Sequence, residues 1–531
     1  MIIKLTNPVG KFIAMGTAFI PKSVDLSPDI SPTNTDQTQA FIAARDMAVF
    51  QLSNMDGEIF RAHEDLAKSS SLESGVKAKI LEGKNAQQAL KETGDAIATR
   101  FDNMDDPYFK ERGADIRDIC RRIMANLKGV SLSAFGDINE DSIIIARELV
   151  PSDTSQMDFG LVKGFITELG GTTSHTCIIA ANRGIPAAVG QEGILSDVKS
   201  GDFIILDGIK GEAHINPSTV VRKDYADKIL AASEEKTAIT AKAHLPAVTA
   251  DGKKISVFAN VGSIADTKGA MEAGAEGIGL FRTEFLYMES RGFPSEDEQF
   301  EVYKECTMIC GDKPLTIRVL DIGGDKDLPY YSFPKEENPF LGRRGIRLCL
   351  HMKDMFKVQL RALLRASAFG NVQILYPMII SVEEYQAANA ILQECKDELA
   401  AEGTCFNPNI LTGIMVETPA SALIAEDLAL VADFISIGTN DLTQYILAVD
   451  RGNEAIACLY DSFHSGVLKA IEMTINAGHK HNKHVGMCGE FAANEDATQL
   501  LLSMGLEEFS VSISVVPSLK ERLRGLNSLV R

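Results

Sequence analysis

Eight short runs of β-forming residues, at 255–261, 277–282, 316–321, 372–377, 412–416, 434–437, 484–487 and 508–511, follow one another through the second half of this 531-residue chain. Amphipathic helical stretches such as 354–369 and 465–477 separate most of them. Eight strands with intervening helices over ~250 residues is the order and size of a (β/α)8 TIM-type barrel. A doubly wound parallel sheet is the alternative, but it would more often carry a Gly-rich phosphate fingerprint after its first strand.

A barrel of this kind builds its active site at the C-terminal ends of its strands. Those ends carry a biased set of residues. The second run ends in Arg282-Thr283-Glu284, and the third holds Arg318 and leads into Asp321-Ile322-Gly323-Gly324-Asp325-Lys326. The fifth ends in Glu417-Thr418-Pro419, the sixth is followed by Gly438-Thr439-Asn440-Asp441 and then Arg451, and the seventh ends in Cys488-Gly489-Glu490. Arg343-Arg344 lies in the long segment after the third run. Arginine forks bind phosphate and carboxylate oxygens at two points, and Mg²⁺ takes one or two carboxylates and completes its shell with water and substrate oxygens. Arg282, Arg318, Arg344 and Arg451 with Asn440, Glu417, Asp441 and Cys488 therefore suit a phosphorylated carboxylic acid with Mg²⁺. Singly, each has a plainer use: an arginine as an ion-pair partner, Glu417 or Asp441 as a helix cap, Cys488 as a buried apolar filler. Their coincidence at five strand ends favours a site.

The first half is organised differently. Residues 1–30 read as strands broken at Pro8-Val9-Gly10 and at Pro21. From about 35 to 128 the pattern is helical, with Ile116, Ile119, Cys120, Ile123, Met124 and Leu127 at helical spacing among the polar Asp115, Arg117, Asp118, Arg121 and Arg122. Between 142 and 216 short strands (142–146, 164–168, 203–206) alternate with turns and one helix. That helix starts just after Gly170-Gly171-Thr172-Thr173-Ser174-His175-Thr176, which puts His175 where a strand turns into a helix. A neutral imidazole there is a phosphorus nucleophile, and the helix start offers backbone donors to a phosphoryl group it would carry. Capping is the plain alternative for a lone histidine. A charged, alanine-rich helix over 219–243 then connects to the barrel.

The net charge of −20 argues against general nucleic-acid or anionic-membrane binding and allows a basic protein partner. Nine cysteines without a C-x-x-C fit reduced thiols in a cytosol. No run approaches the ~20 apolar residues of a membrane span, and the apolar stretch 12–20 reads as a buried strand. These features point to a cytoplasmic protein with no membrane insertion.

At this level the chain resembles enzyme I of the bacterial phosphotransferase system, the phosphoenolpyruvate–protein phosphotransferase. The likeness rests on GGTTSHTCII at 170–179, GIGLFRTEFLYM at 277–288, DIGGDK at 321–326, FPKEENPFLG at 333–342, YPMIISVEE at 376–384, GIMVETPA at 413–420, SIGTNDLTQY at 436–445, AVDRGN at 448–453 and MCGEF at 487–491. The resemblance implies an α/β protein: a swivelling phosphohistidine α/β domain (1–30 and 129–217) with an all-helical insert (31–128), a helical linker (218–246) and a phosphoenolpyruvate-binding (β/α)8 barrel (247–531). It implies that His175 takes the phosphoryl group from phosphoenolpyruvate with Mg²⁺, releasing pyruvate, and passes it to a histidine of HPr, the phosphocarrier protein of sugar uptake, which docks on the helical insert. Arg282, Arg318 and Arg344 match phosphate-binding arginines, Asn440 and Arg451 other substrate contacts, Glu417 and Asp441 the Mg²⁺ ligands, and Cys488 the proposed general acid. A cytoplasmic homodimer joined through the barrel is also implied, as is a swivel about 216–250 that carries His175 between barrel and partner.

The chain departs from the family at Thr172, at 460–466 (YDSFHSG, without the usual proline pattern), at 7–16, and beyond the eighth strand, where the family's further helices are absent. The last departure leads us to expect an effect on barrel closure or dimer stability. A pyruvate phosphate dikinase or phosphoenolpyruvate synthase would need an ATP-binding domain ahead of the histidine, and no Gly-rich nucleotide loop precedes His175. A non-catalytic regulatory relative would be expected to lack one of His175, Arg282, Glu417, Asp441 or Cys488, and all are present.

Overall fold

The computed structural model describes every residue except 22–24, 30–35, 54–57, 103–106, 131, 133–134, 136–137, 155–156, 171–176, 178, 181–183, 289, 324–327, 329, 332, 335, 452, 454–455 and 529–531. The segment 171–176, and with it His175, lies outside the described residues. Tertiary contacts divide the chain into two compact units, Met1–Ser233 and Glu234–Arg531, with the division inside the helix Thr219–Ala241.

The first unit is built on an eight-stranded sheet of β1 (Ile2–Lys4), β2 (Asn7–Val9), β3 (Ile13–Phe19), β4 (Ser142–Ala146), β5 (Val162–Thr167), β6 (Ala187–Val189), β7 (Phe203–Asp207) and β8 (Glu212–Ile215), in the order β1-β8-β7-β3-β4-β5-β6-β2. Strands β3 to β6 run parallel, and the flanking pairs are antiparallel. The central β4, Ser-Ile-Ile-Ile-Ala, is buried at every residue, as a strand covered on both faces must be. By contrast β3 buries only alternate residues, so the apolar run 12–20 is a half-buried strand rather than a fully buried one. Pro8 does not break a strand as the sequence suggested. It sits inside β2 at the sheet's edge, where a missing N–H costs no ladder bond.

Five helices, α1 (Gln37–Ser53), α2 (Glu58–Ala67), α3 (Ser70–Leu81), α4 (Ala86–Asp102) and α5 (Pro107–Lys128), separate β3 from β4. Ile119, Ile123 and Met124 enter a shared core with Phe41, Leu52, Leu72 and Leu90, as their spacing predicts. Two of the polar interruptions on α5 turn out to be buried, Asp118 at 2% exposure and Arg122 at 5%. Charges are tolerated there because they are partnered across the unit. Asp118 lies 3.7 Å from Nδ1 of buried His63, Asp118 and Asp153 favour the charge of Arg122, and Arg121 beside them reaches Asp153 at 3.0 Å.

The second unit is a closed barrel of eight parallel strands: β10 (Lys254–Val261), β11 (Ile278–Arg282), β12 (Leu315–Arg318), β13 (Val372–Tyr376), β14 (Leu411–Val416), β15 (Phe434–Ile437), β16 (His484–Met487) and β17 (Glu508–Ser512). The short β9 (Ala247–Val248) adds to it through β10. Each strand starts within two residues of its sequence-based bound; β13 ends one residue early, at Tyr376, and β12 three early, at Arg318 rather than at residue 321. Closure is complete: β10 pairs with β11 and, over Ser256↔Glu508 to Asn260↔Ser512, with β17. The expected weakness at the C-terminal side is therefore not found in closure. The final helix, Val516–Gly525, is pinned below the barrel by Lys520, fully buried, which donates to Gly274 O at 2.9 Å and pairs with Glu276.

At the N-terminal end of the barrel, His484 Nε2 meets Glu508 Oε2 at 2.8 Å, with Glu507 3.7 Å from Nδ1. The hydrogen bond to Glu508 raises the His484 pKa, against the opposing effect of burial. A pKa raised on folding adds stability below the unfolded value of ~6.5 and loses it as pH rises through the folded value. Urea denaturation should accordingly find His484→Gln destabilising at pH 6 and much less so at pH 9; an equal loss at both would refute the pairing.

Candidate functional site

Five strand ends converge on one cavity of about 430 Å³ at the C-terminal mouth of the barrel. Arg282, Arg318, Glu417, Asn440, Asp441, Arg451 and Cys488 line it, together with Glu284 and Asp321. Leu280, Met415 and Cys488, part of a small apolar cluster with Leu375 and Phe434, face the same space. Arg344 stands behind the lining, 3% exposed, and joins it through Asp441. Of the residues singled out from the sequence, all but His175 are thus brought together here.

The carboxylates fix the arginines. Asp321, 1% exposed, takes Arg344 on both oxygens, Nε to Oδ1 at 3.3 Å and Nη2 to Oδ2 at 3.0 Å, and also lies 3.1 Å from Arg318 Nη1. Glu284 pairs with Arg318, and Asp441 with Arg344 at 3.2 Å through each oxygen. Burial works against the charge of both Arg318 and Arg344, but their carboxylate neighbours outweigh it and hold both pKa values above the ordinary one. Arg282 and Arg451 differ. Neither has an ion-pair partner among the described residues, and burial, then the nearby Arg318 charge, lower the pKa of Arg282. A guanidinium in that position gains from an added anion. Arg318 Nε, buried and without a hydrogen-bond partner, adds to the same deficit.

Glu417 is 1% exposed and sits at the end of β14, one strand from Asp441. It does not cap the next helix. Thr418 does that, in a reciprocal pair with Ser421, which leaves Glu417 turned to the cavity. Its Oε1 accepts the Met378 N–H at 2.6 Å, and Met378 holds a left-handed φ of 59° to aim that N–H. Burial, then Asp441 and Asp321, raise the Glu417 pKa against Arg318 and Arg344. Two carboxylates that oppose each other's ionisation suit a divalent cation between them, and a Mg²⁺ site needs no more than two protein carboxylates. No group of three or more possible metal ligands occurs among the described residues. Gly438 keeps this corner open: a Cβ there would lie 2.9 Å from Glu417 Oε2.

Cys488 follows β16 and is 4% exposed. Burial pushes its thiol up to about 11, so at neutral pH it is an S–H and not a thiolate. Asn440, on the first turn of the helix Thr439–Leu447, accepts the Glu490 N–H at 3.0 Å and holds the two mouth loops together.

Several residues that shape the site stand outside the candidates read from the sequence. Glu284 and Asp321 were visible as carboxylates just past strand ends, without a sign that they would clamp arginines. Asn260, which donates to Cys488 O, Ser436, which donates to Cys488 Sγ, and Met378 gave less: the first two are polar residues inside apolar strands, and the third is an ordinary apolar residue whose backbone does the work.

Profiles of known families match along almost the whole chain. They are described as PEP-utilising enzyme, N-terminal, over residues 7–112; PEP-utilising enzyme, mobile domain, over 138–211; and PEP-utilising enzyme, PEP-binding domain, over 236–528. The phosphoenolpyruvate-protein phosphotransferase of Priestia megaterium is 46% identical over 484 residues, 91% of this chain and 84% of that one. The protein of the same name from Haemophilus influenzae is 43% identical and covers 97% of this chain and 92% of its own. The chain belongs to the phosphoenolpyruvate-protein phosphotransferase family. The Bacillus subtilis member, 45% identical over 476 residues, adds a third relative of the same name. As a member of this family, enzyme I, the chain is a transferase.

The phosphotransferase's mouth depends on Asp321 for the placement of two arginines. Removing one member of a buried ion pair leaves an uncompensated charge, at a cost of about 3–5 kcal/mol. Asp321→Ala should show a loss of that order in chemical denaturation, whereas Arg451→Ala, at an exposed and unpaired residue, should stay within about 0.5 kcal/mol of the parent.

Proposed function

We propose that this transferase phosphorylates His175 from phosphoenolpyruvate with Mg²⁺, releases pyruvate, and passes the phosphoryl group to a histidine of HPr, so driving sugar uptake. The observation that carries the reading is the mismatch of charge at the barrel mouth: two unpaired arginines, a buried pair of opposed carboxylates and a protonated thiol face one cavity.

Each group then has a task. Arg282 and Arg318 hold the phosphate of the substrate; Arg344, its fork already filled by Asp321 and Asp441, contributes positive charge from behind. Arg451 and Asn440 hold the rest of the substrate, which fixes the phosphorus for in-line attack. The lone pair of His175 Nε2 forms the N–P bond as the bond between phosphorus and the enol oxygen breaks. Positioning and neutralisation of spreading negative charge are most of what such a transfer asks of a protein. Glu417 and Asp441 would hold Mg²⁺, which would supply further neutralisation of the phosphate oxygens. Cys488 then gives its proton to C3 of the enolate, and pyruvate results.

His175 belongs in sequence to the first unit and the cavity to the second, so the two must meet for the first transfer and part for the second. We place the swivel at 216–250, around the helix Thr219–Ala241 within which the chain's contacts divide. Docking of HPr on the helical insert, a homodimer through the barrel and a cytoplasmic location complete the proposal. No helix among the described residues is long and apolar enough to cross a membrane.

Incubation with labelled phosphoenolpyruvate and Mg²⁺ should place an acid-labile label on His175, absent in His175→Ala, with pyruvate formed in step. Label that appears only with ATP would overturn the reading. In the same assay Cys488→Ala should slow pyruvate formation about 10²–10⁴-fold, the usual weight of a general acid.

A further inference from the structure

Cys488 is held more closely than a proton donor at a cavity wall requires. Its N–H donates to Ile437 O at 3.0 Å, and Asn260 Nδ2 donates to both Cys488 O and Ser510 O at 3.1 Å. Ser510 Oγ in turn donates to Asn260 Oδ1 at 2.7 Å, so the backbone at 488 is tied to β10, β15 and β17 at once. The sulfur has its own contact. Ser436, on β15 and 4% exposed, donates its hydroxyl to Cys488 Sγ at 3.4 Å, while the thiol itself points toward Ile437 O at 3.8 Å.

We infer that Ser436 is a positioning residue for the proton transfer, holding Sγ toward the cavity and stabilising the thiolate left when Cys488 gives up its proton. This rests on the reading of Cys488 as the proton donor. Once phosphorus has left, C3 of the pyruvate enolate takes the proton with the electron pair of its C=C bond. The S–H bond breaks, its pair stays on sulfur, and the enolate oxygen becomes the carbonyl of pyruvate. The new thiolate is buried, and a neutral O–H···S contact becomes a charge-assisted one, roughly twice as strong. Ser436 keeps its own proton throughout. A proton from solvent restores the thiol after pyruvate leaves.

The surroundings explain why such a donor is needed. Arg318 on β12 and Arg282 at the end of β11 face the sulfur and favour its anion; Glu417 at the end of β14 opposes it. Burial exceeds all of these and keeps the proton on sulfur. Among the described residues, Ser436 is the hydroxyl donor in contact with Sγ. An apolar residue at 436 would leave the thiolate without it.

The test uses the full chain with exposed Cys405 and Cys458 changed to serine. Alkylation of Cys488 by iodoacetamide is followed across pH by peptide mass mapping, in the parent, in Ser436→Ala and in Ser436→Thr. In Ser436→Ala the midpoint should move up by about one pH unit, a tenfold slower reaction at any fixed pH below it, and Ser436→Thr should restore it. Pyruvate formation should slow in parallel, with a larger solvent deuterium effect. An unmoved midpoint in Ser436→Ala overturns the inference whatever Cys488 does. A moved midpoint with unchanged proton delivery to pyruvate instead overturns Cys488 as the donor, and the role of Ser436 in transfer with it.

Discussion

Asp321 carries no solvent exposure of note, yet it accepts from Arg344 through both oxygens and pairs with Arg318 as well, so a single carboxylate sets the position of two guanidinium groups on different segments of the mouth. A buried carboxylate of this kind is costly in isolation and stable only while both cations stay in place. The same holds for each arginine. Asp441 then extends the network from Arg344 to the helix after β15, and Glu284 from Arg318 to the helix after β11. The mouth is therefore one electrostatic unit whose members cannot move independently.

That arrangement accounts for the division between filled and waiting groups. Arg318 and Arg344 have their charges met inside the protein, whereas Arg282 and Arg451 have no ion-pair partner among the described residues, and for Arg282 burial and the Arg318 charge outweigh the pull of Glu284. On the acidic side, the Glu417 pKa is raised by burial and then by its carboxylate neighbours, and Asp441 is already held by an arginine. An anion and a divalent cation placed together would relieve both imbalances, which neither would do alone. Under the proposed function, phosphoenolpyruvate with Mg²⁺ is such a charged pair.

Much of this was legible in the sequence. The barrel followed from the alternation of short β-branched runs with amphipathic helices, and the strand ends already displayed the arginines, Glu417, Asp441 and Cys488. The order of neighbours was not legible, because a strand-end carboxylate looks the same whether it clamps an arginine, as Asp321 does, or awaits a cation, as Glu417 does. Met378 was silent for a different reason: its contribution is a backbone N–H in a left-handed turn, which no side-chain pattern reports. Pro8 misled because the prohibition on proline in strands applies to both edges being paired, and β2 has one free. Asp118 and Arg122 were read as interruptions of an apolar stripe, but mutual proximity of opposite charges lets a helix bury them.

The pairing of β10 with both β11 and β17 has a consequence for how the chain comes into being. On a ribosome β10 emerges first among the barrel strands, and one of its two edges has no partner until β17 appears roughly 250 residues later. At ~5–20 residues per second that is on the order of ten to fifty seconds with an open, apolar sheet edge in a crowded cell. Exposed edges recruit other strands. The nascent barrel is thus the stretch of this protein's life most in need of chaperone cover, because β9, the two-residue strand laid antiparallel along β10, covers the edge that faces β11 and leaves the β17 edge open.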